Sequence, residues 1–136
     1  MKQVMALDIG EKRIGVAVNR GTSCAFPHTV LLRKGKGDVA RVLFLARELG
    51  VDTIVVGLPV RTDASLRREA ESVLSFVEAL RERFSGKVEL FDERFSTREA
   101  ERRLIELETS RAKRKGLIDK ISAALILEAY LARERA

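Results

Sequence analysis

The segment VMALDIGEKRIGVAV (residues 4–18) carries an aspartate, Asp8, inside a run whose other members, Val4, Met5, Ala6, Leu7 and Ile9, have the composition of a buried strand. A second apolar run begins at Ile14, after Gly10, Glu11, Lys12 and Arg13. Two β-rich runs joined by a short charged link containing glycine predict a hairpin. An ionised carboxylate buried without compensation costs several kcal/mol or gives up its charge. Asp8 therefore needs backbone donors, a basic side chain or a metal ion beside it.

Outward from the hairpin, residues 29–33 predict a third short strand, and KGKGD (34–38) a turn. Three strands on short links imply an antiparallel meander. The spacing then becomes helical over 38–49, with Asp38 as N-cap and Gly50 as the stop. TIVVGLP (53–59) is the continuous apolar run of a strand covered on both faces. After a linker at 60–65, the pattern predicts an amphipathic helix over about 66–84, a strand at 87–93 and a helix at 96–107 opened by a Ser96/Glu99 capping box. A polar basic loop at 108–116 and a last helix over about 118–133 complete the chain. The order βββαβαβαα implies an α/β fold: a central mixed five-stranded sheet, its first three strands antiparallel, with helices on both faces. Ligands of such sheets gather at the carboxyl ends of the parallel strands.

At 136 residues, residues 1–136 are expected to form a single domain with a substantial core, and 46% hydrophobic with 34% charged residues argues against disorder. Twenty-six Lys and Arg against 20 Asp and Glu give a net charge of +6, which favours anionic partners, nucleic acid foremost. Cys24 and His28 are single, so an intrachain disulfide, a cysteine zinc site and a His-pair metal site are excluded. Cys24 reads as a buried small hydrophobe and His28 as a structural or surface residue. With no apolar run of 18 residues and no secretory pattern, the expectation is a soluble, cytoplasmic protein with no membrane partner.

Three acidic positions are unusual for solvated charges: Asp8 within the first strand, Asp92 and Glu93 closing another, and Asp119 opening the last helix. Each alone has an ordinary reading, as an acceptor for turn amides, a partner of Arg94, or a first-turn acid favoured by the helix dipole. Converged, two carboxylates 4 Å apart repel by roughly 4 kcal/mol at an effective dielectric of 20. A hard divalent ion, Mg²⁺ or Mn²⁺, relieves that repulsion and suits an oxygen set without His or Cys. One or two such ions can hydrolyse a phosphodiester.

Four segments in this order, ALDIGEKRIGVAV (6–18), IVVGLP (54–59), FDERFSTREAE (91–101) and IDKISAALILEAYL (118–131), resemble the YqgF/RuvX family of pre-16S ribosomal RNA nucleases, ribonuclease H-like proteins related to RuvC-type Holliday junction resolvases. The resemblance spans essentially the whole chain. It implies a ribonuclease H-like fold and a metal-dependent phosphodiesterase site, with the family's acids falling on Asp8, Glu93 and Asp119. Asp92 is the alternative to Glu93, since successive strand residues face opposite ways and only one can enter the site. The chain departs from the family in GLPVRTDASLRRE, where the family's glycine is missing; Arg61, Arg67 and Arg68 in this segment can compensate by contacting phosphate.

Arg111, Lys113, Arg114 and Lys115 form a cationic run before Asp119, suited to sequence-independent contact with a phosphate backbone. Lys12, Arg13 and Arg94 adjoin the acids and can orient a scissile phosphate. The leading expectation is a nuclease of precursor ribosomal RNA, a monomer or homodimer; branched or duplex DNA is the alternative substrate. A non-catalytic nucleic-acid-binding protein ranks third, and an actin-like ATPase, suggested by the hairpin alone, lacks its second domain.

Overall fold

β1 (Val4–Ile9) is the middle strand of a five-stranded sheet, and its two neighbours run in opposite senses. β2 (Arg13–Val18) pairs with it antiparallel, placing Asp8 opposite Gly15, and β4 (Thr53–Leu58) pairs parallel, with Val4 opposite Thr53. β3 (Phe26–Leu32) extends the antiparallel side, β5 (Lys87–Asp92) the parallel side, and the order is β3-β2-β1-β4-β5. The helices are α1 (Asp38–Glu48), α2 (Ala64–Arg83) and α3 (Arg111–Arg135). The computed structural model describes residues 2–58, 64–92 and 111–135. The expected helix at 96–107 and most of the linker at 60–65 lie outside them.

The alternation of the strands separates two apolar clusters, one per sheet face. Met5, Leu7, Ile14, Val16, Ile54 and Val56 pack against Val42, Leu43 and Ala46 of α1 and Val73, Phe76, Val77 and Leu80 of α2. Val4, Ala6, Ala17, Val55 and Phe91 pack against Ala123, Ile126, Leu127, Tyr130 and Leu131 of α3. Helices thus cover both faces, which is why β1 and β4 read as continuous apolar runs. The far part of α3 is seated by Tyr130, whose ring meets Phe91 edge-on at 6.5 Å and whose hydroxyl donates to Glu89. That hydrogen bond is the main reason the Glu89 carboxyl sits below its ordinary pKa. Asn19 pins the start of β1: its Oδ1 accepts the Val4 amide at 2.8 Å and its Nδ2 donates to the Lys2 carbonyl at 2.8 Å.

The structure differs from the sequence expectation in several details. β3 begins at Phe26 rather than 29, and includes Pro27, which an edge strand tolerates because its N–H side can face away from the ladder. Val16 pairs with Thr29 and Ala17 with Pro27, so His28 is the extra residue of a bulge. The basic segment expected as a loop is helical from Arg111, because Arg, Lys and Ala are strong helix formers and one glycine, Gly116, costs only about 1 kcal/mol.

Asp38 is not the N-cap of α1. Gly37, with φ 81°, occupies that position without a side-chain cap. Asp38 is instead buried and turns back to accept the amides of Lys34 and Gly35, each at 3.0 Å, while pairing with Arg41 and with Arg33. Burial alone would raise its pKa; the Lys34 amide, the Arg41 guanidinium and the Gly35 amide outweigh burial and hold it below its ordinary 3.8. A depressed folded-state pKa contributes stability that is full above the unfolded value and is lost as pH falls through the folded one. Asp38→Asn should therefore cost about 2–4 kcal/mol at neutral pH. Urea unfolding should show the gap to wild type narrowing as pH drops below 3.8.

Candidate active site

Asp8 is the fifth residue of β1, and burial fades there: Val4 to Leu7 are buried, Asp8 and Ile9 only partly. The sheet therefore presents Asp8 at its rim, at the carboxyl end of the central strand. Strand parity sets the direction. Asp8 shares its face with Val4 and Ala6, the face covered by α3. Across the ladder Gly15 is its partner, and Arg13, Gly15 and Ala17 take the same face of β2.

Gly15 is where the helix comes down. A Cβ on Gly15 would stand 1.9 Å from the carbonyl oxygen of Asp119 and 3.0 Å from the Lys120 nitrogen. Only a residue without a side chain permits this approach. Backbone lies on backbone, and Asp119 is held over the strand pair whose other member is Asp8. The residues that follow on α3, Ser122, Ala123 and Ala124, are buried and small, which lets the helix stay close to the sheet. Ser122, three residues beyond Asp119, keeps a buried hydroxyl with no hydrogen-bond partner among the described residues. Gly15 is a site-building residue that the sequence patterns pass over. Its one signal is a glycine inside a strand, directly across from an acid.

The backbone of Asp119 is thus brought onto Gly15, the ladder partner of Asp8. Asp92 also ends a parallel strand, opposite Leu58, but its parity on β5 is that of Val88 and Leu90, toward α1 and α2. Glu93 and Arg94 lie outside the described residues. Among the described residues no group of three or more His, Cys, Asp or Glu gathers to hold a metal. Lys12 is exposed in the β1–β2 turn, and Arg13 opens β2 on the face of Asp8. Arg111, Lys113, Arg114 and Lys115 lie on the first turns of α3, within about two turns of Asp119. Of Arg61, Arg67 and Arg68, Arg68 is exposed on α2.

The donor set is oxygen only. Two aspartates from a strand end and a helix fit a hard divalent cation, and the Ser122 hydroxyl adds a polar group one turn away. The site opens where the parallel strands end, the usual place for ligands in mixed α/β sheets.

Residues 2–133 match a family model described as RuvX, Holliday junction resolvase. The chain is 43% identical over 131 residues to a Syntrophomonas wolfei protein provisionally named a pre-16S rRNA nuclease, covering 95% of this chain and 93% of that one. A Geobacillus kaustophilus protein of the same name is 42% identical over 137 residues, covering 98% and 99%. Among solved structures, T. thermophilus RuvC in complex with a Holliday junction superposes with a TM-score of 0.64 at 15% identity, covering 100% of this chain and 98% of that one. Fowlpox virus resolvase, also solved with junction DNA, gives 0.58 at 12%, covering 98% and 99%. The fold is the ribonuclease H-like one.

Gly15→Ala should force α3 off β2. The expected loss is about 1–3 kcal/mol of overpacking strain, larger for Gly15→Val, read by urea unfolding. A variant as stable as wild type would mean that the helix rides higher than a direct backbone contact.

Proposed function

Because the chain belongs to the RuvX family, we propose that it is a divalent-metal-dependent nuclease that hydrolyses RNA phosphodiester bonds, in 5′-end maturation of pre-16S ribosomal RNA. The observation that carries the reading is the contact of the Asp119 backbone with Gly15, the ladder partner of Asp8, at the carboxyl end of the central strand. The names of the relatives supply the substrate class. The net charge of +6 suits a polyanionic substrate. The reading places the protein in the cytoplasm, where ribosomal precursors are processed; among the described residues no helix is long and apolar enough to cross a membrane.

In this reading Asp8, Glu93 and Asp119 hold one or two Mg²⁺ or Mn²⁺ ions. Such ions neutralise phosphate charge and acidify water. The chain's own residues do the rest. Asp8 is fixed by the β1 ladder and Asp119 by the helix contact, so neither carboxylate needs to be ordered when substrate arrives. The parity of Asp92, toward α1 and α2, supports Glu93 as the third acid. Arg13, on the Asp8 face, together with Lys12 and Arg94, orients the scissile phosphate through charge-assisted hydrogen bonds. Arg111, Lys113, Arg114 and Lys115 track the phosphate backbone leading to the site, and their helical frame fixes their spacing. A second reading, cleavage of branched DNA, draws on the likeness to RuvC in its junction complex. It requires a two-fold dimer cutting two strands symmetrically, so gel filtration alongside junction and RNA cleavage assays separates the two.

Asp8→Asn should abolish metal-dependent cleavage while the protein stays folded, with stability equal to or above wild type once carboxylate repulsion is relieved. Full activity in the purified variant would end the proposed mechanism. In calorimetric Mn²⁺ titrations Glu93→Gln should weaken binding. Asp92→Asn should bind normally and be less stable by about 1 kcal/mol, the worth of one hydrogen bond. The opposite pattern would exchange the two acids' roles.

Replacing Arg111, Lys113, Arg114 and Lys115 by Gln should weaken nucleic-acid binding. If each of the four neutralises one phosphate of a duplex, the slope of log K against log[salt] should shrink by about 3.6 in the quadruple variant. An unchanged slope would return these side chains to solvent.

A further inference from the structure

The turn that follows Asp8 carries Lys12 and Arg13, and it is gripped from both ends by one residue at the exit of β3. Within the turn the Gly10 amide donates to the Arg13 carbonyl at 2.8 Å. The Arg33 amide donates to the Lys12 carbonyl at 2.8 Å, and Arg33 Nη1 donates to the Gly10 carbonyl at 2.9 Å. The same guanidinium places Nε 3.5 Å from the Asp38 carboxylate and lies 5.8 Å from the Phe76 ring centroid. Asp38 in turn is locked by the Lys34 and Gly35 amides and by Arg41. A chain of contacts therefore runs from the start of α1 through Asp38 and Arg33 to the backbone one residue beyond Ile9.

The turn has room to leave this position. A cavity of about 560 Å³ lies beside it, lined among others by Gly10, Glu11, Arg33, Gly35, Arg68 and Ser72. A loop bordering open space and bearing three consecutive charged residues holds one conformation only if something fixes its backbone. Arginine suits the task because its planar fork donates in several fixed directions at once, here to a carbonyl and toward a carboxylate, which lysine's single ammonium does not match.

We infer that Arg33, anchored by Asp38, is a positioning residue: it holds the Gly10–Arg13 turn so that Lys12 and Arg13 meet the substrate's phosphates beside Asp8. The inference deepens the proposed function and rests on it for the identity of the substrate, while the grip on the turn stands apart from it. Neither Arg33 nor Asp38 touches the substrate. Their effect passes through the turn.

The experiment uses full-length wild type, Arg33→Gln and Asp38→Asn, with two readouts. Native-state hydrogen exchange, without substrate, should show the Gly10 and Arg33 amides exchanging about tenfold faster in both variants through local opening. A merely structural role would change only amides that report global unfolding, such as those of Val55 and Val56, and would overturn the inference. The second readout is binding to a short duplex RNA across a salt series. Once the turn no longer presents Lys12 and Arg13 to phosphate, the slope of log K should fall by roughly 0.9 for each. Asp38→Asn gives the sharper sign: it adds a unit of positive charge to a chain already at +6, so unspecific attraction would tighten binding, whereas a displaced turn weakens it. Tighter binding by Asp38→Asn overturns the inference. If wild type binds no RNA, the proposed function fails, and the exchange measurement alone still decides whether Arg33 holds the turn.

Discussion

The contact of the α3 backbone with β2 at Gly15 is the constraint on which the candidate site depends. Side chains ordinarily hold a helix well above a sheet, and a site built across that gap would need long side chains to bridge it. Here a glycine removes the spacer, and the backbone of the helix at Asp119 reaches the strand residue that pairs with Asp8. The small buried residues that follow Asp119 continue the same solution along the helix. At the far part, Tyr130 against Phe91 and Glu89 provides a second fixed point. With the helix held at two places, the position of the Asp119 backbone is set by packing rather than by local propensity.

The two faces of the sheet divide the labour. On the α1 and α2 face, large aliphatic side chains build the main core around Leu7, Ile14, Ile54 and Leu80. On the α3 face, alanines predominate near the site, and the core there is thin. The buried Asp38 network sits at the margin of the thick core, where burying a carboxylate is tolerable only because two amides and two guanidinium groups meet it.

Much of this is legible in the sequence, and what is not has physical causes. The hairpin at Asp8 announces itself by two β-rich runs and a glycine link. The parallel strand at Thr53 does so by an apolar run too uniform for a half-exposed strand, and the mixed sheet follows from their order. Asp119 is visible as an acid opening a helix of small and apolar residues. Gly15 is not, because a glycine in a strand marks a bulge, a bend or a close approach with equal force, and only the position of α3 distinguishes them. Asp38 misleads since an acid before a helix caps it far more often than it folds back into the preceding loop. The start of α3 is hidden for a simpler reason: Arg and Lys favour helices as strongly as they populate loops, so a cationic run carries no boundary information. The choice between Asp92 and Glu93 turns on parity, and the sheet register fixes the face of Asp92 where sequence can only state that the two must differ.

The outer edge of the sheet at β3 has a bearing on how copies of the chain can meet. Pro27 offers no amide there, and the bulge at His28 throws the spacing of donors and acceptors out of step with any straight strand laid alongside. Sheet-to-sheet addition, the commonest route by which β-rich chains swap strands or clump, is therefore discouraged at this border. If two copies associate on a substrate, the β3 border is a poor place for them to meet, and chains crowded during synthesis are spared one route to tangling.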